Sequence, residues 1–206
     1  CNNRCTFCAI PLIRGDLRSR KIADIAQEIE TLVGQGIKEI NLIGQDLASY
    51  GYGSNDDVQD NGSAGEKERT TEQQRSFLRC LLERIAQIAG DFWVRLLYIH
   101  PDHFTKDIFP LLQTDKRFLP YFDIPFQSGS DVIIKRMNRK GNASMYQALV
   151  TQIREHFPSA CIRTTFLTGF PGETEEYAQE TKQFLNAIEP DWSGCFSYSK
   201  EEDTPA

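Results

Sequence analysis

Apolar residues recur along the chain with changing period, and the changes mark out a string of elements. From Ser19 onward Ile22, Ile25, Ala26, Ile29, Leu32 and Val33 fall on one stripe at helical spacing, with Gly34 and Gly36 placed to end the helix. KEINLIG follows as a strand carrying Ile40 and Leu42 in a mostly apolar run. The next stretch, SNDDVQDNGSAGEKERTTEQQ, is polar and acid-rich with little to bury, and reads as a mobile surface insertion at about 53–75. Phe77, Leu78, Leu81, Leu82, Ile85 and Ile88 give a second helix, and WVRLLYI a second strand. A short helix is expected over roughly Thr105 to Gln113, then a strand, YFDIPF, with Pro125 at its end. Helical stretches around Asp131 to Met137 and Ser144 to His156 precede the strand CIRTTFLTG, a helix from Thr174 to Ile188, and a last strand, WSGCFSYS.

Strands that alternate with helices and read as near-continuous apolar runs predict parallel β/α units with both sheet faces covered. The expected fold is α/β, a partial (β/α)6 TIM-like barrel with five strands present and a first strand missing upstream. At 206 residues the chain suits one sizeable core, so residues 1–206 read as one domain. In such barrels the chemistry gathers at the carboxyl ends of the strands. GQDLASYG, HPDHF, QSGS, GFPGET and YSKEEDTPA each follow a strand. The glycines of GFPGET permit a sharp turn, and the helix start after it offers N–H groups to a phosphate, carboxylate or sugar hydroxyl. Its simpler reading is a loop with Thr174 as N-cap and Glu175 and Glu176 answering the helix dipole.

Hydrophobic residues at 40% and charged residues at 25% are ordinary for a globular protein, and no apolar run approaches the roughly 20 residues that span a bilayer. A soluble protein without a membrane partner is expected. The formal net charge of −6 argues against a general nucleic-acid coat, although Arg14, Arg18, Arg20 and Lys21 form a basic rim that could meet RNA or phosphate. Of the six cysteines, Cys80, Cys161 and Cys195 are scattered singly. They read as buried small apolar side chains of a cytoplasmic protein, not as a disulfide framework.

The other three open the chain, in CNNRCTFC. A structural zinc site wants four ligands, and His100, His103 and His156 sit on a distant loop and helix. A redox dithiol needs two cysteines. Three thiolates would hold a 4Fe–4S cluster with one iron left without a protein ligand, an open place to bind something. A non-catalytic iron–sulfur or zinc module is the alternative, and it demands a fourth side chain close to Cys1, Cys5 and Cys8.

CNNRCTFC resembles the CxxxCxxC loop of radical S-adenosylmethionine enzymes. The resemblance implies that Cys1, Cys5 and Cys8 hold three irons while the fourth chelates S-adenosylmethionine, whose reductive cleavage gives methionine and a 5′-deoxyadenosyl radical. CTFCAIP, GQD with SYG, DIPFQSGSD, KRMNR and TGFPGETEE further resemble the central catalytic domain of the methylthiotransferases. By that resemblance Phe7 packs on the adenine, the Gly44–Gln45–Asp46 turn meets the methionine amino group, and Gln127 and Arg163 reach the ribose or carboxylate. A guanidinium can pair a carboxylate bidentately, which suits Arg163.

Two branches of that family differ in substrate. CTFCAIP, Asp46 after Gln45, LLYIHP, YFDIPFQ, Thr165 and GCFSYSKEE resemble the RimO type, which methylthiolates the β-carbon of an aspartate in a small-subunit ribosomal protein. QSGS, with Ser128 where that branch often has His, and HPDHF lean toward the MiaB type, which modifies a tRNA adenosine. The resemblance further implies an electron donor such as flavodoxin or ferredoxin, a second 4Fe–4S cluster on an amino-terminal domain, and a carboxyl-terminal TRAM domain. Both domains are expected beyond this fragment, which on that expectation binds cluster and S-adenosylmethionine but cannot complete methylthiolation alone.

Overall fold

The structure, a computed structural model, describes residues 1–53 and 75–206; the acid-rich insertion, Ser54 to Gln74, lies outside the described residues. The elements follow the apolar periods closely. A short helix α1 (Ile10–Arg14) leads to α2 (Ile22–Gly34), which buries Ile22, Ala26 and Ile29. Helix α2 ends where Gly36 takes φ +90°, a conformation glycine enters without a Cβ penalty. Strand β1 (Glu39–Ile43), helix α3 (Phe77–Ala86), strand β2 (Trp93–Leu97), helix α4 (Phe109–Thr114) and strand β3 (Phe118–Asp123) come next. Helices α5 (Asp131–Arg136) and α6 (Ala143–His156), strand β4 (Cys161–Thr168), helix α7 (Glu175–Ile188) and strand β5 (Trp192–Ser197) complete the order. Asn142 caps α6 by accepting from the Met145 N–H at 2.8 Å, and Thr174 caps α7 by accepting from Tyr177.

Among the described residues one sheet carries five strands in the order β1-β2-β3-β4-β5, every pair parallel. Strand β3 begins three residues before the expected YFDIPF, at Phe118, and so contains Pro120. Proline has no N–H for a ladder, and it is tolerated here because the β2–β3 register shifts between Val94↔Phe118 and Leu96↔Phe122. Pro125 lies beyond the strand's end, as expected.

Among the described residues the two faces of the sheet differ, against the expectation that both are covered. Ile40, Leu42, Val94, Leu96, Phe122, Ile162 and Phe166 are buried, joined in one core with Leu78, Leu81, Leu82 and Ile85 of α3 and Phe184 of α7. Each such large apolar side chain contributes about 1.5–3 kcal/mol by leaving water. The alternate positions, among them Asn41, Arg95, Arg163 and Thr165, lie on the other face and are part-exposed or exposed. A side-chain period of two turns every second residue of a strand to that face. There Arg95 pairs with Glu39 at 2.8 Å and stacks 4.5 Å from the centre of the Tyr121 ring.

Candidate functional site

The cysteine loop is stitched to segments that follow the strands. Asn3 Nδ2 donates to Asp46 Oδ2 just beyond β1 at 3.2 Å, and Leu17 N–H donates to Asn2 Oδ1 at 2.6 Å. Thr6 donates its amide to the Met137 carbonyl at 3.2 Å and its hydroxyl to the Arg136 carbonyl at 2.9 Å, while Asn138 Nδ2 reaches the Arg4 carbonyl at 2.7 Å. Asn138 adopts φ +59°, which its short polar side chain tolerates. The tail returns as well: Ala206 N–H donates to the Thr6 carbonyl at 3.0 Å, and Tyr198 Oη donates to Ala206 at 2.9 Å. Cys1, Cys5 and Cys8 are free and part-buried, and the Cys8 N–H closes a turn on the Cys5 carbonyl at 3.1 Å. Burial pushes the Cys5 thiol up, and the neighbouring Arg139 guanidinium opposes that shift.

Asp46 is the hub beneath this loop. Its carboxylate accepts from His103 Nδ1 at 2.6 Å, Ser49 Oγ at 2.6 Å, Asn3 at 3.2 Å and the His100 N–H at 3.2 Å. Burial works against its charge, but the His103 and Ser49 hydrogen bonds outweigh burial and hold it below the ordinary carboxylate range. The bond to Asp46 raises His103, whereas burial and then Arg139 lower His100 to about 4. Distant along the chain, both histidines are thus two hydrogen bonds or fewer from the cysteine loop. A cavity of about 550 Å³ opens over Asn3, Ser49, His103 and Lys140.

The remaining expected residues spread over the loop and the sheet edge. Phe7 packs edge-on to Phe170 at 6.5 Å, in a small cluster with Ile133 and Met137. Gly44 is part-exposed and Gln45 exposed, beside the buried Asp46. Gln127 takes φ +71° while its N–H donates to the Thr165 carbonyl and its carbonyl accepts from Leu167, both at 2.8 Å. Arg163 lies on β4 with its side chain 40% exposed and donates to Asp123 Oδ2 at 3.1 Å. Burial raises Asp123 against the pull of Arg163. Tyr98, at φ +59°, donates its N–H to the same carboxylate at 3.3 Å. Non-glycine residues held left-handed at strand ends cluster at functional sites.

Asp123, Tyr98, Asp102 and Arg139 were not singled out from sequence. Asp102 and Arg139 lie inside the quoted HPDHF and KRMNR, but nothing in a one-dimensional pattern shows that both turn inward. Ser128 is fully buried, shares a hydrogen bond with Thr181 Oγ1 at 3.1 Å, and so packs inside the fold. The simpler reading of GFPGET holds: Thr174 caps α7, and Arg136 Nη1 donates to the Gly172 carbonyl at 2.6 Å. Of the scattered cysteines none is fully buried as expected: Cys80 and Cys161 are part-buried, and Cys195 is exposed on the last strand, with its Sγ 3.8 Å from Thr168 Oγ1.

The residues present fit an iron–sulfur cluster. Three free thiols share one pinned loop, a cavity of about 350 Å³ opens on Cys5 and Cys8, and the positive charge of Arg139 bears on the Cys5 thiol. Among the described residues no three His, Cys, Asp or Glu side chains converge tightly enough for a single metal ion.

The sequence profile described as Radical SAM superfamily matches residues 1–185. A protein from Treponema denticola named ribosomal protein uS12 methylthiotransferase RimO is 53% identical over 100% of this chain and 44% of its own length. The protein of the same name from Thermotoga maritima is 42% identical over 100% of this chain and 44% of its own length. The chain therefore spans less than half the length of these curated relatives. The radical S-adenosylmethionine methyltransferase TsrM from Kitasatospora setae superposes with a TM-score of 0.69 at 16% identity, covering 96% of this chain and 34% of that one. Methylornithine synthase (PylB) superposes with a TM-score of 0.58 at 15% identity, covering 100% and 52%. These two likenesses bear out the parallel partial-barrel fold. Together with the pinned three-cysteine loop, the match over residues 1–185 makes this chain a member of the radical SAM superfamily.

Proposed function

We propose that the chain is the catalytic domain of a methylthiotransferase that modifies the β-carbon of an aspartate in a small-subunit ribosomal protein. One observation carries the reading: the whole chain, cysteine loop included, is 53% identical to a ribosomal protein uS12 methylthiotransferase. When bound, the reduced cluster supplies the electron that splits the sulfonium of S-adenosylmethionine. Cys1, Cys5 and Cys8 would hold three irons, and the hydrogen bonds of Asn3 and Thr6 keep their loop in place. Phe7 would offer a ring to the adenine, and Gly44, Gln45 and Asp46 would border the methionine amino group. Arg163 and Gln127 would bind the carboxylate or ribose, with Asp123, itself held by the Tyr98 N–H, fixing how Arg163 points. The uncovered face around Arg163 and Thr165 leaves room for a substrate side chain to approach. A net charge of −6 suits a basic ribosomal protein. A second 4Fe–4S cluster, an electron donor such as flavodoxin or ferredoxin and a cytoplasmic setting belong to the same reading.

Anaerobic reconstitution followed by iron counting and electron paramagnetic resonance tests the first half. About four irons per chain, with a spectrum that shifts on adding S-adenosylmethionine, is expected, and Cys5→Ser should remove most of the iron. A cluster indifferent to S-adenosylmethionine would refute the reading. Mass spectrometry of the full-length protein's products then tests the substrate: a methylthio group on the ribosomal protein is expected, and modification of tRNA alone would reassign the branch.

A further inference from the structure

Arg163 sits at the level where β2 and β3 end. It lies in register with Asp123, the last residue of β3, and Tyr98 directly follows β2. Asp123 is buried, with its side chain 2% exposed, and its Oδ2 accepts from Arg163 Nη1 at 3.1 Å and from the Tyr98 N–H at 3.3 Å. The backbones are fixed as well: the Ile99 N–H donates to the Asp123 carbonyl and the Ile124 N–H to the Arg163 carbonyl, both at 2.9 Å. Tyr98 pays for this arrangement with φ +59°, a conformation that is costly for a bulky residue and that gathers at functional sites. Yet the Arg163 side chain stays 40% exposed on the open face of the sheet. A guanidinium carries five N–H groups in a planar fork, and the bond to Asp123 takes one of them. Asp123 thus orients the group from below, and donors remain for a second carboxylate arriving from the open side.

Two carboxylates enter the proposed reaction. S-adenosylmethionine would spend its own, with its amino group, on the open iron beside the cysteine loop. That loop is stitched to Asp46, Met137 and Ala206, and neither cavity beside it is lined by Arg163, Asp123 or Tyr98. The other carboxylate belongs to the substrate. In an aspartate side chain the β-carbon is bonded directly to the carboxylate carbon, so a guanidinium that pairs with the carboxylate fixes the reacting carbon one bond away. An adenosine base has no carboxylate to offer, and the same pairing discriminates against it.

We propose that Arg163 is a specificity-determining residue that pairs with the side-chain carboxylate of the substrate aspartate rather than with the cofactor, while Asp123 and the Tyr98 N–H hold it in place. The proposal rests on the reading that the chain modifies an aspartate of a ribosomal protein. Methylthiolation by the reconstituted full-length protein compares the native ribosomal protein with one whose modified aspartate is replaced by asparagine. Wild type should favour the native substrate in kcat/KM by at least about a hundredfold. Arg163→Gln can still donate to Asp123, and it should bring the two substrates within about tenfold of each other by losing activity on the native one. Its iron content and its spectral shift on adding S-adenosylmethionine should match wild type. Arg163→Lys keeps the charge without the planar fork and should fall between. Wild type that accepts asparagine as readily as aspartate overturns the pairing without recourse to any variant. An undiminished preference for aspartate in Arg163→Gln overturns it too, as does loss of the cofactor shift in that variant with its iron intact. Native ribosomal protein left unmodified by wild type overturns the functional reading itself, and this proposal with it.

Discussion

At the scale of single residues, Asp46 shows how one side chain can tie a cofactor loop to a fold. It is fully enclosed, yet its carboxylate stays ionised because His103, Ser49, Asn3 and the His100 amide all donate to it. The two histidines beside it titrate in opposite directions. His103 is raised by Asp46, so its stabilisation is complete below its unfolded value near 6.5 and is lost as pH rises through the raised one. His100 is lowered to about 4, so its contribution is present above 6.5 and is lost as pH falls toward 4. Urea midpoints of wild type should therefore decline on both sides of about pH 6.5, and His103→Asn should flatten the alkaline limb while leaving the acid limb. An unchanged alkaline limb in that variant would show that the Asp46 pairing does not control stability there. The His100 ring resonances should also stay neutral down to about pH 4 in an NMR titration.

At the scale of elements, helix starts and close contacts set the cost of change. Thr174 accepts from the Tyr177 amide at the start of α7, and Thr174→Ala should cost about 1 kcal/mol in a denaturation experiment. Gly129, in the QSGS segment between β3 and α5, has no room for a methyl group: an added Cβ would lie 2.3 Å from the Phe184 side chain of α7. Gly129→Ala should therefore destabilise by about 1–3 kcal/mol, more than the cap. If the two variants were equally stable, the tight approach of this segment to α7 would be wrong. The helical periods themselves were plain in the sequence, since Ile22, Ala26, Ile29, Leu78, Leu81, Leu82 and Ile85 form the buried stripes they predict. Strand β3 was harder, because Pro120 disguised a strand that only a register shift can accommodate.

At the scale of the whole molecule, the described residues form a five-stranded parallel sheet packed by helices on one face and part-exposed or exposed on the other. The open face carries Arg95, Arg163 and Thr165 at its middle and large apolar groups toward the edges, with Trp192 68% and Phe196 62% exposed. Exposed apolar patches of this kind invite association with other chains. Trp192→Lys and Phe196→Lys should lower concentration-dependent association of the chain in light scattering, with little change in urea midpoint. Unaltered association would place the sticky surface elsewhere. No helix among the described residues is long and apolar enough to cross a membrane.

The sequence alone determined the order of elements, the parallel β/α class and the three-cysteine loop, because each rests on local spacing: a period of 3.6 or 2 for burial, and fixed intervals for the thiols. Only the tertiary structure decided which groups surround that loop. Asn3 meets Asp46, which also holds His103, Thr6 meets Met137, and the charge of Arg139 bears on Cys5 from more than a hundred residues away in the chain. Such contacts carry no local signature, since a polar residue placed after a strand looks the same whether it faces solvent or is buried. Burial also set the protonation states, raising Cys5 and lowering His100 by amounts that no reading of neighbours in the chain could supply. The open sheet face escaped the sequence for the same reason: apolar runs show that a strand has a side to bury, and only packing shows which side is covered.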